Sequence, residues 1–125
     1  MIGLTRSVRV FAHRGPVDMR KSFDTLAALV DAGAGQSVME GDVFVFVGRT
    51  KRRAKVLWWD GTGVLVLSKR LCKGSFVAPW EMKGVAALLW TTSELALFLE
   101  GSEFVGRMPL SPPPYKASDD TLRFV

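Results

Sequence analysis

The chain reads as an α+β domain: a small antiparallel β-meander of about four strands with two helices and a Pro-rich C-terminal tail. Three observations predict this. Apolar runs rich in β-branched and aromatic residues recur at 43–47, 54–59 and 64–70, separated by tight turn signals. Two stretches carry helix start signals, one at Asp18 and one at Thr91. Pro109, Pro112, Pro113 and Pro114 then remove amide donors and favour extended polyproline geometry. At 125 residues the chain is expected to form one domain, residues 1–106, with 107–125 as a docked or disordered tail.

Taken in order, Val8, Val10 and Ala12 alternate as a short first strand, and Gly15-Pro16 turns the chain. The Asp18 carboxylate is placed to accept from the free amides of a helix over about 19–31. Met19, Phe23, Leu26, Ala27 and Val30 give that helix one apolar stripe, and Gly33 and Gly35 stop it. Strands follow at Val43–Val47, Ala54–Trp59 and Val64–Arg70, with Asp60-Gly61-Thr62-Gly63 turning the second pair. Lys73 to Trp80 reads as a loop and Val85 to Trp90 as a further strand. Thr91-Thr92-Ser93-Glu94 matches a capping box opening a second helix that Gly101 ends.

Alternation puts Phe44 and Phe46 on one sheet face and Val43, Val45 and Val47 on the other. Both faces are therefore apolar. The first helix can cover one. A later segment or another subunit must cover the second, because a large bare apolar patch is costly in water.

Composition narrows the function classes. Apolar residues make up 48% of the chain, which argues against wholesale disorder. The net charge of +5 is uneven: residues 1–73 hold 13 Lys+Arg against 6 Asp+Glu, and residues 74–125 hold 4 against 6. The basic part favours nucleic acid over an acidic protein as partner. One Cys excludes an internal disulfide, and one Cys with one His argues strongly against a zinc site of ordinary type. No run approaches the roughly 20 apolar residues that span a bilayer. Arg6, Arg9 and Arg14 break up the apolar start, so a secretory signal is not expected and the chain reads as soluble and cytoplasmic.

The densest chemistry is the first hairpin turn, where Arg49, Lys51, Arg52, Arg53 and Lys55 fall within seven residues. Like charges so close repel, and a purely structural turn does not need them. Such a cluster can straddle a phosphate backbone, with Arg forks taking two oxygens at once. Lys69, Arg70 and Lys73 can extend the patch. The alternative is a solvated tip that only aids solubility. Arg20 and Lys21 sit where the first helix is expected to open, and the dipole disfavours cations there. They are expected either to pair with Asp18, Asp24 or Asp60 or to contact a second phosphate. Among the tryptophans, Trp59 reads as core and Trp58 as the ring that faces a partner. Stacking on unpaired bases by Trp58, Trp59 or Trp80 is the weaker reading.

Little supports catalysis. Asp18, Asp24, Asp60 and His13 are the only material for a metal-dependent nuclease, and two-metal chemistry needs carboxylates that converge. Asp18 and Asp24 lie six apart and cannot stack on one helix face. No Gly-rich loop ending in Lys-Ser/Thr occurs, so nucleotide hydrolysis is unsupported. Cys72 has Arg70 and Lys73 nearby, but a lone His with nothing to orient it argues against a thiol enzyme. No cofactor and no metal is expected.

Ordered strings in this chain resemble a known family. Gly15-Pro16-Val17-Asp18-Met19-Arg20-Lys21-Ser22-Phe23-Asp24 is similar to its N-terminal signature, with Ser22 where Gly is common. Phe44-Val45-Phe46 and Lys55-Val56-Leu57-Trp58-Trp59-Asp60-Gly61-Thr62-Gly63 are similar to its hairpin. Lys69-Arg70-Leu71, Gly74 and Phe76 continue that hairpin, and Thr91 to Gly101 resembles its closing helix. The family is TnpB, the accessory protein from the second reading frame of IS66-type bacterial insertion sequences, distinct from the RNA-guided nuclease sharing the label. The resemblance implies a role in transposition beside a catalytic transposase and a second accessory protein. The tail lies outside it. The expected function is a non-catalytic accessory factor that contacts DNA backbone through the basic hairpin. The competing expectation is a scaffold that bridges transposase subunits and forms homo-oligomers. A metal-dependent DNA-processing enzyme is the remote third.

Overall fold

The computed structural model describes residues 8–33, 38–84, 88–103 and 105. The element order is β1 (Val10–Ala12), α1 (Phe23–Ala32), β2 (Val43–Val47), β3 (Arg53–Trp59), β4 (Val64–Arg70), β5 (Leu89–Trp90) and α2 (Thr92–Leu99), with single 3-10 turns at Val38–Glu40 and Pro79–Glu81. This is the α+β class expected from the sequence. The sheet is mixed and has five strands in the order β4-β3-β2-β1-β5. The β2-β3-β4 part is an antiparallel meander, whereas β1 pairs parallel to β2, Val10 opposite Val43 and Ala12 opposite Val45. A parallel pair needs a crossover, and α1 supplies it.

The two sheet faces carry two cores. On one face Phe44, Phe46 and Leu57 pack with Val17, Val38 and the α1 residues Leu26 and Val30. On the other, Val10, Val43, Val45, Val47 and Val56 pack with Phe76, Trp90, Leu95, Phe98 and Val105. The second face is thus covered by the later segment of the same chain. The α1 side is covered less completely: an apolar hollow of about 570 Å³ lies beside β1 and β5, lined by Phe11, His13, Leu29, Phe44 and Leu89 among others.

The first helix starts four residues later than expected. Asp18 does not cap it. Its carboxylate accepts from the Arg20 amide at 2.9 Å and from the Arg20 guanidinium at 2.7 Å, which fixes a separate turn. The Arg20 hydrogen bonds and charge hold the Asp18 carboxyl well below the usual range, and Asp18 in turn raises Arg20. Ser22 is the cap, and its amide donates to the Thr25 hydroxyl at 3.0 Å. Arg20 and Lys21 therefore precede α1 rather than open it. Phe23, expected in the apolar stripe, is half exposed, while Leu26 and Val30 are buried one turn apart.

The α2 capping box is present as read. The Thr91 hydroxyl accepts from the Glu94 amide at 3.1 Å, and Glu94 accepts from the Thr91 amide at 3.0 Å. Thr91→Ala is expected to cost about 1 kcal/mol of stability in urea unfolding, as loss of a cap does. The strand expected at Val85–Trp90 is seen as Leu89–Trp90, and residues 85–87 lie outside the described residues. So do Gly35 and the Pro-rich tail, 107–125.

Candidate nucleic-acid interface

The basic residues converge because of strand register. The β2–β3 turn and the end of β4 lie at one end of the sheet, with Arg53 opposite Arg70, Ala54 opposite Lys69 and Lys55 opposite Ser68. Lys51 turns the chain in the left-handed region, φ 63°, and its amide donates to the Gly48 carbonyl at 2.9 Å. The chain after β4 folds back on this turn: Leu71 donates to the Arg52 carbonyl at 2.9 Å and Phe76 to the Lys51 carbonyl at 2.6 Å. The loop that carries Lys73 is thereby held against the turn by both of its ends. Phe76 inserts into the core from the same loop, so the basic end is anchored from inside.

These cations are not equivalent. Lys51 pairs with Glu81 at 3.0 Å. The Lys55 ammonium donates to the Lys21 carbonyl, and Lys69 points to the other face and donates to the Leu99 carbonyl at the end of α2 at 2.6 Å. A cation there suits the negative helix terminus. Arg20 is held by Asp18. Arg52 makes one long bond to the Cys72 carbonyl, 3.4 Å. Arg49, Arg53, Arg70 and Lys73 are exposed and have no hydrogen-bond or ion-pair partner among the described residues. The sequence cluster therefore splits into a structural half and an unpaired half.

The structure adds neighbours that spacing did not reveal. The turn at Asp18–Lys21 packs against the basic end. Met19 sits so close to Gly48 that a Cβ there would lie 2.8 Å from Met19 Cγ. Met19, Arg53, Ala54, Lys55, Ser68, Lys69 and Arg70 line a groove of about 370 Å³. The two quoted signature strings thus meet at one place. Period-2 alternation could have placed Ser68 with Arg70 on one face; nothing local could have brought Met19 there.

The other candidates resolve into structural roles. Asp60 accepts from the Thr62 and Gly63 amides at 2.9 and 3.0 Å, which closes the β3–β4 turn and lowers its carboxyl below the ordinary value. His13 Nδ1 lies 3.0 Å from the Gly15 carbonyl. No group of three metal-ligating side chains occurs among the described residues. Trp58 is half buried and packs on the α2-side core, with its indole nitrogen fully buried. Trp59, expected in the core, is also half buried, and Trp80 packs on the same core as Trp58. Sequence reasoning missed the ion pair of Arg9 with the buried Asp42, 2.8 Å, which ties β1 to the start of β2. No helix among the described residues is long and apolar enough to cross a membrane.

Comparison with known proteins gives a consistent result. The family described as IS66 Orf2 like protein matches residues 8–107. Two proteins of Sinorhizobium fredii (strain NBRC 101917 / NGR234) are similar. The protein y4jC is 33% identical over 115 residues, 90% of this chain and 97% of its own. The protein y4hO is 35% identical over 104 residues, 83% of this chain and 89% of its own. Both carry the description "uncharacterized protein". No solved structure matches.

Proposed function

The chain belongs to the IS66 Orf2-like family of insertion-sequence accessory proteins, and from that premise we propose that it is a non-catalytic factor of transposition that holds duplex DNA by its backbone. The observation that carries this reading is the set of unpaired cations, Arg49, Arg53, Arg70 and Lys73, at one end of a rigid sheet. Three other cations pair with carboxylates, inside the basic end as well as outside it: Arg9 with Asp42, Arg20 with Asp18, Lys51 with Glu81. Unpaired cations on a fixed scaffold are what a phosphate backbone neutralises. Such contacts position DNA without reading sequence. The chemistry of strand transfer would then belong to the element's transposase, with this chain and a second accessory protein beside it.

A second reading, a scaffold between transposase subunits, is favoured by the apolar hollow beside β1 and β5, at whose rim Leu89 is 42% exposed. One experiment separates the two. In fluorescence anisotropy at low salt, two labelled duplexes of unrelated sequence should bind this protein within a few-fold of each other. Absence of binding to either would overturn the DNA reading. Capture of the transposase at high salt, lost on Leu89→Glu, would then establish the scaffold.

A further inference from the structure

We infer that the groove between β3 and β4 is a discrete site for one phosphodiester of a DNA strand, held jointly by Arg53 and Arg70. The inference rests on the DNA reading above and makes it specific. Arg53 and Arg70 are directly opposed across two antiparallel strands. Like charges in that position repel and destabilise the sheet. Neither has a partner among the described residues, and no carboxylate lines the groove. A repelling pair kept without a counter-charge is the arrangement that one bound oxyanion relieves, since a phosphate accepts from two guanidinium forks at once.

The remaining lining fits a nucleotide rather than a bare ion. By alternation Lys55 and Ser68, one pair further along, share the face with Arg53 and Arg70. Lys55 is steadied by the Lys21 carbonyl and keeps further N–H donors, and Ser68 adds a hydroxyl. Met19 gives an apolar wall suited to a sugar ring. A volume of about 370 Å³ exceeds what one phosphate fills and leaves room for the attached deoxyribose.

The test is the salt dependence of duplex binding by the full chain, wild type against Arg53→Gln, Arg70→Gln and the double variant. One shared phosphate predicts that the slope of log K against log salt falls by about 0.9 in the double variant. It also predicts that the two single losses in affinity are not additive. A fall of about 1.8 with additive losses means two separate contacts and overturns the shared site. An unchanged slope with binding retained overturns the groove and leaves the backbone reading standing; no binding by wild type sinks both. NMR of the Arg53 and Arg70 Nε–H groups identifies the source. Saturating shifts with duplex at concentrations where inorganic phosphate gives none support a strand. Saturation by phosphate that duplex cannot displace assigns a free-ion site instead. Thermal unfolding guards against misfolding: relieving the repulsion should leave the midpoint equal or higher, whereas a purely structural pair would lower it.

Discussion

Phe98→Ala is expected to remove about 3–5 kcal/mol of stability, a large share of the about 5–15 kcal/mol that holds a domain of this size. Phe98 has no exposed surface. Its ring stacks on Phe76 at 4.7 Å and tilts against Trp90 at 5.0 Å. These three rings join α2, β5 and the loop after β4, so truncation leaves a cavity that no single neighbour can fill. Tryptophan fluorescence, to which Trp58, Trp59, Trp80 and Trp90 all contribute, reports the event in a urea titration. The midpoint should fall sharply, with Phe98→Leu recovering much of it. A cost below about 1 kcal/mol would mean that α2 does not cover this face. Function should respond too, because Phe76 carries the loop whose amide bonds the basic turn.

The second large effect is expected from reversing charge at the tip. Arg49→Glu combined with Lys73→Glu should weaken duplex binding roughly 50-fold or more near 0.1 M salt, since two phosphate contacts become repulsions. Both residues are exposed and unpartnered among the described residues. Stability should therefore stay within about 0.5 kcal/mol of wild type. Binding that survives this change would place the DNA contact elsewhere on the molecule.

How much of this was legible depended on whether the signal was local. The bounds of β2 and β4 and the Thr91–Glu94 box follow from runs and spacings within a few residues, and they stand as read. The start of α1 does not, because Asp18 had two uses for its carboxylate and the guanidinium two residues away took it. The parallel place of β1 between β2 and β5 was hidden because three residues carry no direction signal. The basic cluster was plain in the sequence. Its division was not: Lys51, Lys55 and Lys69 find partners about 30 residues away or more, which only the fold brings near. The same long-range closure placed Met19 in the groove.

The most direct test is the affinity of wild-type protein for a labelled duplex across a salt series. Three phosphate contacts, through Arg49, Lys73 and the Arg53–Arg70 groove, predict a slope of log K against log salt of about −3. Binding whose strength does not change with salt, or no binding at low salt, would contradict the account.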